Sequence, residues 1–442
     1  MLFLLQFTAY VLLLGLATLA QSGLLKALAN VYAVVIFGLV AFAWMTREPP
    51  PSRWATAVAV CLLVYLTGMV CSVIVNPDAI AWGDLIKMAM APGFLIFGAA
   101  FQRARLAAGP AAVNRATDSA TNSDTNPAGG IPSLWQRPLV RALFALLIIV
   151  PLATWAAQLA QSGLRLDGAA ETSIFANRNN AAVYAVTMLA LLAVLRDQPL
   201  RSMLVFVAVG VMFGTLGVML AVLLALMLTV GRARELLVLL VLLAIGVAGY
   251  TLAPTFGPFA RVTPLVDSVR LLLEGRINLH TATFGELVLM LKTQDLSFLF
   301  RLKHWLDLLY TFVQGDMYHW LFGWGVGSST RLSDMGLVPH NDYLRVLFEF
   351  GLVTLAGFIG MLALILLRCG RRWETVPLLA VVIYLFSENL INNYIAISFF
   401  YFAAGALAER VGATATAMKA VPSNVDKRTK PRTFVAPWVT AR

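Results

Sequence analysis

Charge is scarce in this chain: Asp, Glu, Lys and Arg make up 12% of its residues, against about a quarter in a soluble domain. That composition excludes an ordinary water-soluble globule. Cysteine is scarcer still. Cys61 and Cys71 fall in one apolar run and Cys369 lies in a basic stretch, so no disulfide framework crosslinks the polar segments. Histidine is confined to four positions. Asp-x-Asp and Gly-x-Ser-x-Gly are both missing, and no carboxylate pair with metal-ligand spacing occurs in the loops assigned below to the outer side. These absences count against a divalent-metal site.

What the chain does have is apolar length. Hydrophobic residues are 60% of the total, and runs near 20 residues, each able to cross about 30 Å of hydrocarbon, recur along it. The pattern predicts an all-α polytopic membrane protein of about twelve spans: 2–20, 24–45, 54–75, 86–101, 138–160, 179–195, 202–214, 217–230, 235–253, 342–367, 375–389 and 393–409. "FGTLG" (213–217) reads as a break between two short spans. The first run lacks a basic n-region and a clear cleavage site, so it reads as a retained helix.

The formal charge of +11 follows topology rather than a polyanion partner, and no nucleic acid is expected. With the N-terminus inside, Arg47 and Arg53, Arg103 to Arg137, Arg196 and Arg201, Arg232 and Arg234, Arg368 to Arg372 and the C-terminal tail all fall on one side. This is the positive-inside pattern.

Four regions follow: transmembrane helices over 1–253, a large outer loop over 254–341, C-terminal helices over 342–410, and a basic tail over 411–442. The inner segment 102–137, rich in Ala, Ser, Thr, Asn and Gly over 106–133, reads as a flexible linker, and the tail reads as disordered.

Chemistry concentrates in the large loop, where His280, His304, His319 and His340 all lie. Amphipathic stretches there, such as "LSFLFRLKHWLDLLYTFV" (296–313), suit helices lying at the membrane interface. "VPHNDYLRVLFEFG" (338–351) runs from a polar loop into an apolar helix. Asn341 or Asp342 can cap that helix and Pro339 stiffens its approach. His340 then lies at the positive end of a helix dipole, which disfavours imidazolium and leaves a neutral imidazole competent as a general base. The same helix end attracts a phosphate.

Asp342, Arg345 and Glu349 share one helix face and read as an ion-paired ladder that lets charge enter the bilayer. Glu349 lies roughly 10–14 Å deeper than His340, too far to share its proton. In "SIFANRNNAAVYA" (173–185), Asn177, Arg178, Asn179 and Asn180 cluster at a helix start on the same side. They read equally as capping residues or as a phosphate clamp. Gly323, Gly325 and Gly327 predict a tight backbone turn; with no preceding strand they are not a dinucleotide fingerprint.

Taken together, these blocks resemble the O-antigen ligase and polymerase superfamily. "PHNDYLRVLFEFG" is similar to its His-Asn-x-Tyr-Leu…Glu-x-Gly signature. "RLKHW" with "HWLFGWGVGSS" is similar to its Arg-x-x-x-Trp…His-Pro-x-x-Gly-x-Gly block, and "FANRNNAAVYA" to its Phe-x-Asn-x-Asn segment. The blocks occur in the family's order, over about residues 170–400. The resemblance implies a GT-C type fold and a glycan donor carried on undecaprenyl pyrophosphate. It also implies inverting transfer to an acceptor hydroxyl with neither metal nor other cofactor. His340 would be the base, Arg301 would bind pyrophosphate, and Asn341, Tyr343, Asn177, Asn180 and Glu349 would support them. One departure stands out. The family usually carries a Ser-Arg pair between two short spans, and here "FGTLGVML" (213–220) has no arginine. Arg178 or Arg276 would then supply the missing charge, unless the donor site is built differently.

The resemblance implies an inner-membrane enzyme working on the periplasmic side. It would be an O-antigen ligase whose acceptor is the lipid A-core, or a polymerase whose acceptor is a growing glycan. A non-catalytic transporter is the third reading. It rests on "FSENLINNYIAI" (386–397), where Glu388, Asn389, Asn392 and Asn393 interrupt an apolar stretch.

Overall fold

The computed structural model describes residues 2–45, 52–77, 81–119, 134–161, 174–175, 178–196, 216–229, 262–279, 282–291, 297–333, 336–370 and 372–420. Among these, helix is the dominant structure and there is no strand. The helices are α1 (Leu2–Leu19), α2 (Gly23–Met45), α3 (Arg53–Val75), α4 (Trp82–Met90), α5 (Gly93–Ser119), α6 (Pro138–Gln161), α7 (Arg178–Arg196) and α8 (Leu216–Thr229). In the large loop follow α9 (Val262–Leu273), α10 (Phe284–Leu291), α11 (Ser297–Val313), α12 (Met317–Phe322) and the single turn α13 (Ser328–Arg331). The chain continues with α14 (Asp342–Cys369), α15 (Val376–Tyr384) and α16 (Tyr394–Ala420).

Among the described residues, five stretches are long and apolar enough to cross a membrane: Arg53–Val75, Trp82–Ala107, Pro138–Gln158, Asp342–Cys369 and Tyr394–Thr414. Shorter apolar helices cover Phe3–Leu19, Gly23–Leu39 and Asn179–Leu195. The expected spans 202–214 and 235–253 lie outside the described residues.

Helices pack in lipid through close backbone approach rather than hydrophobic expulsion, so small residues belong at their crossings. Two crossings organise the bundle, α3 against α14 and α5 against α16. At the first, a Cβ on Gly68 would fall 2.2 Å from the Thr354 hydroxyl, and one on Gly357 would fall 2.6 Å from the Tyr65 amide. At the second, Gly98 and Gly405 each lie against a facing carbonyl, with 2.0 Å left for a Cβ in either case. Aromatic rings fill the seam beside this crossing, where Phe3 of α1 stacks on Phe402 of α16 with centroids 3.8 Å apart.

Three segments differ from their sequence-based expectation. The inner segment read as a flexible linker is helical as far as Ser119, its residues 120–133 lying outside the described part. Alanine-rich "RARLAA" continues the helix because alanine has the highest helix propensity. The tail is likewise helical through Ala420, on "GATATAMKA". The span expected over 375–389 stops at Tyr384 instead. Residues 385–393 form an irregular loop whose Leu390 and Ile391 amides donate to the Asp342 carboxylate, at 2.6 and 3.1 Å. Non-helical backbone beside a bilayer needs such internal partners.

Candidate active site

The start of α14 builds the site. Asn341 is the N-cap, its side chain accepting from the Leu344 amide at 3.0 Å. The preceding residue, His340, has φ +49°, a left-handed conformation that costs a non-glycine residue on the order of 1 kcal/mol or more. Neighbours hold it there. Trp305 of α11 donates its indole N–H to the Pro339 carbonyl, and the Asp342 amide donates to the Leu385 carbonyl at 2.8 Å. Tyr343 braces the same junction by donating to the Val382 carbonyl of α15 at 2.8 Å.

Asp342, expected in an ion-paired ladder, instead accepts the two loop amides described above. It ties loop 385–393 to the head of α14. That tie brings Glu388 onto His340, with Nδ1 and Oε1 2.7 Å apart. Glu388 is wholly buried, whereas the His340 side chain is 29% exposed and open to a ligand. The other neighbours of the carboxylate are also donors. Asn389 offers its amide at 3.3 Å to Oε1, Asn179 of α7 donates its side-chain amide to Oε2, and Arg301 of α11 places Nη2 3.7 Å from Oε2. Surrounded by donors, Glu388 acts as an ionised acceptor. Its bond to Nδ1 assigns the proton there and leaves the lone pair on Nε2, the tautomer a general base requires. At 3.7 Å the Arg301 contact is longer than a hydrogen bond. The partly exposed guanidinium therefore keeps donor capacity for an anion beside His340.

A second polar group lies deeper along α14. Arg345, fully buried, donates from Nε to Glu349 at 3.1 Å and from Nη2 to Asp84 of α4 at 2.9 Å. Asn392 donates to the same Asp84 oxygen at 2.9 Å, and Ser329 donates to Glu349. The rungs of the ladder are thus Arg345–Glu349 and Arg345–Asp84, without Asp342. Glu349 has its partners in this group and none in the His340 group.

The glycine turn holds both groups in register. Gly323, Gly325 and Gly327 all have positive φ, as expected. Helix α14 breaks at Gly351, with φ +77° and ψ −176°. The break frees the carbonyls of Phe348 and Glu349, which accept the Trp324 and Gly325 amides at 2.9 and 3.0 Å. Ser72 of α3 also donates to the Glu349 carbonyl, at 2.8 Å. A side chain at Gly323 or Gly351 would meet the other segment's backbone at 2.4 or 2.3 Å.

The remaining expected site residues divide. Asn180 lies beside the group, its carbonyl accepting from Asn393 at 3.2 Å. Asn177 and the side chain of Arg178 lie outside the described residues, although Arg178 opens α7 directly before Asn179. Arg276 belongs elsewhere: its side chain is 65% exposed and pairs with Glu274 at 3.1 Å. It has no contact with His340, Glu388 or Arg301 among the described residues. The turn after α9 points it to its near neighbour in sequence.

The other histidines have local partners, His280 being outside the described residues. His319 bonds Asp316 at 2.7 Å and stacks on Trp324. His304 is buried, stacks on Phe300 and bonds Ser333 at 3.0 Å. Its burial pushes the imidazole below its ordinary value, against the opposing pull of Asp307.

Glu388, Asn179 and Asp84 are the site residues that sequence reasoning missed in this role. Glu388 did stand out as a carboxylate in an apolar stretch, but nothing in its local pattern pairs it with a histidine 48 positions away. Compared with models of known protein families and with curated proteins, the chain matches none.

Proposed function

We propose that the protein is a glycosyltransferase of the O-antigen ligase type, set in the bacterial inner membrane with about twelve spans and its active site on the periplasmic face. The single observation that carries this reading is the His340–Glu388–Arg301 constellation at the head of α14. It combines an oriented base with a cation beside it, as metal-independent transfer from a pyrophosphate donor requires. The motif resemblance supplies the substrate class, undecaprenyl-pyrophosphate-linked glycan.

In this mechanism Nε2 of His340 takes the proton from an acceptor hydroxyl, and Glu388 stabilises the imidazolium that forms. The acceptor oxygen attacks the anomeric carbon as the bond from that carbon to the pyrophosphate oxygen breaks on the opposite side, giving inversion. The leaving pyrophosphate keeps the bonding electrons, and Arg301 stabilises the charge that develops there. The acceptor is the lipid A-core in a ligase and a growing glycan in a polymerase, with the same chemistry in both. Of the polar residues of 386–397 that favoured transport, Glu388, Asn392 and Asn393 have partners within the protein, in His340, Asp84 and the Asn180 carbonyl.

Surface polysaccharide from a deletion strain tests the reading. A ligase predicts bare core with long polymer left on the lipid carrier, and a polymerase predicts core bearing single repeat units. Normal polysaccharide would overturn both. His340→Ala should lose transfer by roughly 10²–10⁴-fold while inserting normally, and wild-type rates in that variant would refute the base.

A further inference from the structure

The end of the bundle opposite His340 holds a second concentration of charge. Arg368 lies in the last turn of α14, Arg103 and Arg105 lie on α5, and Arg410 lies on α16. The positive charges of Arg372, Arg410 and Arg368 converge on the buried Cys369 thiol. Arg368 lies flat against Gly412, within 1.7 Å of where a Cβ would stand. Arg105 and Arg410 donate to consecutive carbonyls at the end of α7, Val194 at 3.3 Å and Ala193 at 3.0 Å. Carboxylates nearby are Glu409, which bonds Arg103 at 3.1 Å and Ser52, and Glu374. Among the described residues, five guanidinium groups thus gather at this end with two carboxylates.

Positive-inside topology explains basic residues at this end but not the burial of the Arg103 side chain, since topology signals act from exposed loops. The Arg103 side chain is 10% exposed. Among the described residues its Nε and Nη2 have no hydrogen-bond partner, and neither has Nε of Arg368. A buried guanidinium with an open edge lacks an acceptor, and phosphate oxygens match that planar fork.

We propose that Arg103, Arg105, Arg368, Arg372 and Arg410 form a binding site for a phosphate-bearing anion, at the far end of α14 and α16 from His340. The phosphate belongs to an anionic lipid headgroup or to a soluble phosphate compound.

The full-length protein in nanodiscs of phosphatidylcholine alone, of phosphatidylcholine with phosphatidylglycerol, and of phosphatidylcholine with inorganic phosphate added provides the test. The readout is the thermal unfolding midpoint. Arg103→Gln combined with Glu409→Gln removes a buried pair together and leaves no lone carboxylate. Should that protein fail to fold, Arg368→Gln with Arg372→Gln carries the same comparison from the rim. A rise with phosphatidylglycerol alone assigns a lipid headgroup, and a rise with inorganic phosphate assigns a soluble ligand. In either case the variants should lose more than half of the shift. No rise in either arm, or an equal rise in wild type and variants, overturns the site.

Discussion

At the scale of the residue, the proposed mechanism gives Glu388 two jobs, orienting His340 and stabilising its charge. Glu388→Gln keeps the shape but can present an N–H toward Nδ1, favouring the wrong tautomer. It should lower kcat by on the order of 10²-fold or more with little change in KM. Single-turnover assays with a lipid-linked donor measure this, and an unchanged kcat would leave Glu388 a merely structural partner. Arg301→Lys should also be impaired, because an ammonium cannot reproduce the bidentate fork. Its loss should appear in donor dependence, and a normal response to donor concentration would remove Arg301 from the pyrophosphate site. The cap, and the place of His340 just before it, were legible in the sequence, since Pro339, His340 and Asn341 announce a helix start by local rules. The partner was not. Glu388 reaches His340 only because the Asp342 carboxylate gathers loop amides nearly fifty residues away, and no periodicity encodes that fold-back. The surroundings of Arg276 were not legible either, since the turn after α9 sets it against Glu274.

At the scale of the element, α14 is two helical pieces meeting at Gly351. The "GWGVG" turn was readable as a turn, but its destination was not, because the break in α14 leaves no mark in a continuous apolar run except one glycine. Gly351→Ala would combine positive φ with a Cβ placed 2.3 Å from Leu321 backbone. It should destabilise the protein by at least about 1–3 kcal/mol and loosen the loop that positions His340. Thermal unfolding together with proteolysis near residue 322 would detect both effects. Wild-type values in both would show that the turn and the kink are independent.

At the scale of the whole molecule, helical membrane character was legible from composition alone, and the lengths of individual helices were not. Alanine-rich inner segments continued as helix where composition pointed to linkers, and the apolar run at 375–389 was cut short by tertiary hydrogen bonds. The proposed orientation has a direct check. In a background with Cys61, Cys71 and Cys369 replaced by Ala, Tyr318→Cys should react with an impermeant reagent added to cells whose outer membrane alone is opened. Thr414→Cys should react only after the inner membrane is opened too, and the reverse pattern would invert the topology.

The tie between Asp342 and loop 385–393 has a consequence for biosynthesis. The chain is made from its N-terminus, so Arg301 and His340 leave the ribosome before Glu388 exists. The histidine can take up its oriented tautomer only when α15 and the loop after it have folded back onto α14. On the proposed mechanism, synthesis through the loop after α15 is therefore a condition of activity, and a product truncated before α15 would carry His340 without the carboxylate that orients it.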